Sequence, residues 1–289
     1  MPDVLFLTPG PIEWASSRFR AYWIAEHLEN SEVIEFEQAK KQSRISPAFD
    51  NYIFLKSCSP EWVKLIKDFG KRAWWDLCDP VHWFDPKTSR QITEMVDGVV
   101  FSNTDLQNDF MDWYGKEKSN ITIPDRLKMS HYSKQREHAP ADPVRMIWFG
   151  ANQNRVGLFG AVQNLERLMA NGVNVSLTIF DDNPELTWRF KKFPVYQIGW
   201  DLSIENEVIA THDIALLPPY PGPWGKVKSN NKNLTAWACG LPVWDGYNYS
   251  YGYMLSTITE SRKNDYSMWL KDYDVRISAQ EWKDFINVS

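Results

Sequence analysis

The sequence predicts an α/β fold made of two doubly wound domains, each built on a parallel sheet. Three observations carry that expectation. Short continuous apolar runs recur, such as VLFL at 4–7, YIFL at 52–55 and IALL at 214–217, and strands covered on both faces read this way. They alternate with segments of helical spacing, for example Trp62, Leu65, Ile66 and Phe69, and such alternation implies a parallel sheet. The alternation breaks once, over the polar stretch 125–143, and restarts at RMIWF, 145–149. A chain of 289 residues is long for one domain and comfortable for two.

In order, the first strand (4–7) ends in Thr8, Pro9, Gly10 and Pro11, and Ser16 and Ser17 are placed to cap a helix carrying Phe19, Tyr22, Trp23 and Leu28. Strands are expected at 33–36, 52–55, 73–77, 97–101 and 121–123, with a helix over 60–69 opened by Pro60 and closed by Gly70, and another from Thr104 or Asp105 to Tyr114. The second half gives strands at 145–149, 175–180, 195–198 and 214–217 and helices over 159–171 and 204–210. A loop rich in Pro and Gly (218–225), a helix, Gly240 as its stop and a strand reaching Val243 follow. A helix near 258–263 and an amphipathic segment over 266–285 finish the chain. The expected division is a first domain at 1–124, a linker at 125–143, a second domain at 144–262 and a helical segment at 263–289, whose return to the first domain is left open.

Composition excludes several classes. The formal charge of −5 gives no global basic field for nucleic acid or anionic lipid, so any anion site must be local. Cys58, Cys78 and Cys239 form neither a C-x-x-C pair nor a disulfide framework, which suits reduced thiols in a cytosol. No apolar run approaches a membrane span, and the N-terminus reads as no signal peptide. The 15 tryptophans suit carbohydrate or base stacking and core filling alike.

Ligands of doubly wound sheets bind beyond the carboxyl ends of strands, and two such domains would face each other across a cleft. The stretch WGKVKSNNKNLTAWACGLPV (224–243) follows a strand end and places Lys226, Lys228 and Lys232 around a helix start. Backbone N–H groups there favour anions, so a phosphate site is expected. Lys228 and Lys232, four residues apart, would share one helical face.

Taken together, these residues resemble a GT-B glycosyltransferase of the group 1 type, which builds bacterial cell-surface polysaccharides. In the second half the resemblance lies in RMIWFG (145–150), VYQIGW (195–200), DIALLP (213–218), KSNNK (228–232) and ACGLPV (238–243). In the first half it lies in VLFL (4–7), SSRFR (16–20) and DGVVFS (97–102), so it spans nearly the whole chain. It implies two Rossmann-like domains, a nucleotide-diphosphate sugar donor on the second, and a glycan, lipid-linked or other hydroxyl acceptor on the first. It further implies metal-independent catalysis without a cofactor, in the cytoplasm, with a peripheral place at the inner membrane face left open. One departure stands out. The retaining branch carries a Glu-x7-Glu pair that would fall around Val227 and at Thr235, and neither is acidic here.

The candidate residues follow from strand-end placement and this resemblance. Gly150, Asn152, Asn154 and Arg155 follow a strand, where Gly lets backbone approach and Arg offers a fork. With Lys228, Asn231, Lys232 and Thr235 they form the expected donor site; an ordinary polar loop is the alternative. Tyr196 and Trp200 would stack a nucleobase or fill the core. Asp79 or His82 would act as base on the acceptor hydroxyl, although Asp79 before Pro80 is also a good turn starter. Gly10, Ser17 and Arg18 lie on the acceptor side; Arg18 opposes the dipole at a helix start, which suggests an anionic ligand or an acidic partner. Asp181 and Asp182 read as a turn, and no metal site is expected. Two other functions remain open: a phage-type DNA-base glycosyltransferase using a basic strip (Lys116, Lys118, Lys128, Lys134, Arg136), and a non-catalytic sugar-nucleotide-binding protein.

Overall fold

The computed structural model describes residues 3–41, 47–137, 139–190, 192–247, 266 and 270–288. The helix expected near 258–263 lies outside the described residues. Two compact units are present. Unit 1 comprises Met1–Lys128, Lys226–Ser229 and Asp274–Ser289; unit 2 comprises Met129–Gly225 and Asn230–Tyr273.

Unit 1 is built on six parallel strands: β1 (Val4–Thr8), β2 (Ser31–Glu35), β3 (Asn51–Leu55), β4 (Arg72–Leu77), β5 (Gly98–Phe101) and β6 (Asn120–Thr122). Their order is β2-β1-β3-β4-β5-β6, so the direction of winding reverses between β1 and β3. Strands β1, β3 and β5 are buried throughout, as their unbroken apolar runs require. The helix Pro60–Asp68 has Pro at its first position. The helix Pro86–Met95 is capped by Asp85, which accepts from Thr88 N at 3.1 Å. The helix Thr104–Tyr114 starts at the earlier of the two expected positions, because Asn103 is the cap and accepts from Leu106 N at 2.8 Å. The C-terminal helix Val275–Val288 closes this unit: Trp282 meets Phe6 edge-on at 6.2 Å and Phe285 packs on Trp74 at 5.2 Å.

Unit 2 holds β7 (Val144–Phe149), β8 (Val175–Asp181), β9 (Val195–Gly199), β10 (Ile214–Leu216) and β11 (Val243–Trp244), all parallel, in the order β11-β10-β7-β8-β9. Here the winding reverses between β7 and β10. Both sheets therefore have the doubly wound topology that the sequence predicts, and each reversal point marks the strand ends where a ligand is expected.

The polar stretch 125–143 is anchored at a few buried residues, Asp125, Arg126, Leu127, Tyr132 and Arg136. In unit 1, Asp125 accepts from Arg20 at 2.9 Å and Arg126 forks onto Glu281 and Ser278. In unit 2, Asn206 brackets the backbone of Lys134, and Arg136 donates to the Asp213 carbonyl at 2.6 Å. The sequence could not point to these anchors because their partners are remote in sequence.

Candidate functional site

At the reversal point of unit 2, β7 delivers Trp148, Phe149 and Gly150 to the strand end. Gly150 has φ +143°, a backbone closed to residues with a β-carbon. The side chain of Lys232 lies over it: a Cβ on Gly150 would stand 2.8 Å from both Cε and Nζ of Lys232. The same ammonium is 4.9 Å from the Trp148 ring centroid, within cation–π range. Lys232 sits in the first turn of the helix Asn231–Ala238, whose cap residue Asn230 makes no side-chain capping bond. A cation, the N–H groups of a helix start and a bare backbone glycine are thus gathered at one strand end. That combination suits an anion.

The other expected donor-site residues divide. Asn152 bonds Asp182 Oδ1 through its backbone N and its Nδ2, at 2.7 and 3.1 Å. Asn154 lies in the same turn, Asn152–Gly157. Arg155, expected to offer a fork to the diphosphate, is instead buried and forked onto Asp181, with further bonds to the carbonyls of Asn183 and Leu186. Asp181 at the end of β8 captures this guanidinium, so Arg155 fixes the loop. Thr235 is buried, and its hydroxyl meets Tyr132 Oη at 3.3 Å. Tyr132 donates to Glu205 at 3.1 Å, and the Trp200 indole donates to the same carboxylate at 3.0 Å. Trp200 is thereby held by its polar edge, while Tyr196 on the edge strand β9 is exposed. Asn231 opens the helix that carries Lys232.

Lys228 does not share a helical face with Lys232. The helix Pro223–Val227 ends one residue before it, the next begins at Asn231, and residues Lys226–Ser229 group with unit 1. There Asn103 Nδ2 donates to the Val227 carbonyl at 2.8 Å. Burial lowers the Lys228 pKa, and Asp79 partly offsets this.

The strand ends of unit 1 carry a buried ion cluster. Arg20 forks onto Asp76 at 2.6–3.0 Å and bonds Asp125 and the Ile123 carbonyl, both at 2.9 Å. Burial opposes its charge, yet the two carboxylates outweigh burial and hold its pKa above the ordinary value. Arg18 and Arg20 lie in a π-helical turn, Arg18–Tyr22, a feature that often marks functional positions. Arg18 donates to the carbonyls of Ile12 and Glu13, and its guanidinium lies 5.4 Å from the Phe19 ring and 5.5 Å from the Trp23 ring. Backbone carbonyls and aromatic rings are among its partners. Ser16 and Ser17 do not cap: both lie inside the helix Ala15–Ser17, and Trp14 is the residue before it. A Cβ on Gly10 would meet the Trp14 ring at 2.7 Å, so Gly10 makes room for that exposed indole.

Asp79 is ion-paired with Lys56. His82 is buried among Phe110, Trp113 and Trp83, with Nε2 2.8 Å from Asp109. Burial lowers its pKa against the pull of Asp109, and its Nδ1 is enclosed without a hydrogen-bond partner. The geometry makes it a packed imidazole. Lys56 was not singled out in the sequence. It stands directly after a buried strand, and strand-end placement alone could have flagged it.

Comparison with known proteins now adds the fold family. No protein-family model and no curated protein sequence matches the chain. Solved structures do. A structure of Anabaena Alr3699/HepE with UDP-glucose aligns over 100% of both chains at 11% identity with a TM-score of 0.70. An α-glucosyltransferase complexed with UDP and DNA containing an HMU base aligns over 96% of this chain and 93% of its own, at 11% identity and TM-score 0.60. Staphylococcus aureus TarM aligns over 87% of this chain and 57% of its own, at 13% identity and TM-score 0.54. The fold is GT-B. The GT-B likeness extends over the whole chain, and the two reversal points described above are those of its two Rossmann-like halves. Among the described residues no helix is long and apolar enough to cross a membrane.

Proposed function

We propose that this GT-B chain transfers a sugar from a nucleoside-diphosphate sugar to a hydroxyl acceptor, in the synthesis of a surface polysaccharide or glycoconjugate. The observation that carries this reading is the Gly150–Lys232 arrangement at the reversal point of unit 2, in a fold shared along its whole length with a protein solved with UDP-glucose.

In this reading the diphosphate lies against the bare backbone of Gly150 and the first turn of the helix Asn231–Ala238. Negative charge grows on the departing diphosphate as the glycosidic bond breaks. The Lys232 ammonium and the helix N–H groups meet that charge, the main electrostatic demand of the step. Asn152 and Arg155 hold the adjoining loop through Asp182 and Asp181. Leaving-group stabilisation by ammonium and backbone groups needs no divalent ion, so transfer is expected to persist in a chelator.

A DNA acceptor is not favoured, because every member of the expected basic strip has a partner. Lys116 pairs with Glu94, Lys128 with Glu26 and Lys134 with Glu207, at 2.6–3.0 Å. Lys118 donates to the Val96 carbonyl, and Arg136 is buried on the Asp213 carbonyl. The first experiment is a thermal-shift panel of nucleoside-diphosphate sugars. A raised melting temperature with UDP-glucose or a related donor supports the reading, and a panel without any shift contradicts it.

A further inference from the structure

Unit 2 holds a polar network that fastens the helix Asn231–Ala238, the one that carries Lys232. Residues 132–136 bond to this helix and to the helix Glu205–Ala210. Tyr132 Oη donates to Glu205 Oε2 at 3.1 Å. With its one proton used, it accepts from the Thr235 hydroxyl at 3.3 Å. The Trp200 indole donates to the other oxygen of Glu205 at 3.0 Å. Asn206 exchanges two 2.7 Å bonds with the backbone of Lys134 and donates to Cys239 Sγ at 3.2 Å. The Arg136 N–H donates to the Cys239 carbonyl at 2.9 Å. Tyr132, Glu205, Asn206, Thr235 and Cys239 are all buried.

The helix is therefore held at Thr235 and at its C-terminal cap residue Cys239, four positions apart and on one face. Two attachments on one face fix its rotation about its own axis. Lys232 lies three residues before Thr235, one turn along the same face, so that rotation sets where its side chain starts. From there the ammonium reaches over Gly150 and the Trp148 ring. The opposite end offers less, since Asn230 makes no side-chain capping bond. Buried hydroxyls are not needed to fill this space, because apolar groups of the same shape can replace a hydrogen-bonded pair at almost no cost. What the Tyr132 and Thr235 hydroxyls add is direction.

We propose that Tyr132 is a positioning residue for the donor site: joined to Glu205 on one side and to Thr235 on the other, it sets the rotation of the helix Asn231–Ala238 so that the Lys232 ammonium meets a phosphate of the nucleoside-diphosphate donor. The substrate class rests on the transferase reading above. Tyr132 is buried and acts only through Lys232, and no covalent bond changes in this role. Trp200 holds the Glu205 carboxylate from its other oxygen, and Asn206 holds the far end of the helix through Cys239. Without the phenol hydroxyl, the Lys232 helix loses its tie to Glu205 and the ammonium loses its fixed starting point.

The test is a double-mutant cycle between Tyr132 and Lys232, read by calorimetry with UDP and with inorganic pyrophosphate on proteins whose melting curves show them folded. Tyr132→Phe keeps the ring and removes both bonds. It is expected to weaken the binding of both ligands about fivefold, the scale of one neutral hydrogen bond. In the Lys232→Met background the same change is expected to have no effect, because the group it positions is gone. A merely structural role would lower the melting temperature in both backgrounds and leave the cycle additive. Wild-type affinity in Tyr132→Phe, an equal loss in both backgrounds, or a loss confined to UDP while pyrophosphate binds as before overturns the proposal. Should Tyr132→Phe fail to fold, Thr235→Val takes its place in the cycle with the same outcomes. A non-additive cycle with pyrophosphate in a protein that takes no UDP would remove the transferase reading and leave the positioning role standing. An additive cycle with UDP bound would do the reverse, and wild type that binds neither ligand overturns both.

Discussion

Lys232 lies across the α-carbon of Gly150, so close that a methyl group there would stand 2.8 Å from its Cε and Nζ. Neither residue can change without disturbing the other. Gly150→Ala meets both the ammonium arm and a φ of +143°. It should cost about 1–3 kcal/mol of stability through backbone strain and weaken UDP binding in the folded protein. Urea unfolding and calorimetry read the two effects separately. Wild-type UDP affinity in Gly150→Ala would remove Lys232 from the donor site.

Arg155 should behave as a structural residue. Its guanidinium and Asp181 are both buried and paired, and removing one partner leaves an uncompensated charge. Arg155→Ala should destabilise the protein by about 3–5 kcal/mol. The fraction that still folds should bind UDP within a few-fold of wild type. A large loss of UDP affinity with unchanged stability would return Arg155 to the diphosphate.

His82 gives a pH signature. Burial holds its folded pKa below the ordinary imidazole value, so at mildly acid pH the unfolded chain binds a proton that the folded chain does not. Its contribution is therefore complete above the unfolded pKa of about 6.5 and falls as pH drops from there towards the folded value. Chemical unfolding at pH values about one unit above and about one unit below that pKa should show a smaller loss on acidification in His82→Phe than in wild type. An equal loss would mean that the acid sensitivity lies elsewhere.

Transfer should survive a chelator. On the proposed role of Lys232 and the helix N–H groups toward the leaving group, excess EDTA should leave sugar transfer or donor hydrolysis unchanged. Abolition by EDTA, restored by a divalent ion, would show that the ammonium groups do not suffice.

Much of this architecture was legible because its signals are local. The runs at 52–55 and 97–101 are strands in unit 1 since each is covered on both faces, and period and length report that directly. Pro60 opens its helix from the first position. Features set by remote partners were not legible. Arg20 meets Asp76 across 56 positions and Asp125 across 105, and no spacing rule announces such a pair. The anchors of the stretch 125–143, such as Arg126 on Glu281, were hidden for the same reason. Lys228 and Lys232 looked like neighbours on one helix because spacing cannot see the break over Lys228, Ser229 and Asn230, where the chain leaves one helix before starting the next. The candidate site was legible as a strand end and a helix start. The resting of Lys232 on Gly150 needed coordinates.

The most direct measurement is calorimetric titration of wild type and Lys232→Met with UDP and UDP-glucose. Methionine keeps most of the side-chain length over Trp148 and removes the charge. The account predicts that wild type binds both ligands and that Lys232→Met, folded as shown by its melting curve, binds each about tenfold more weakly, the loss expected for one charged contact. Absence of binding by wild type, or equal affinity in Lys232→Met, would contradict it.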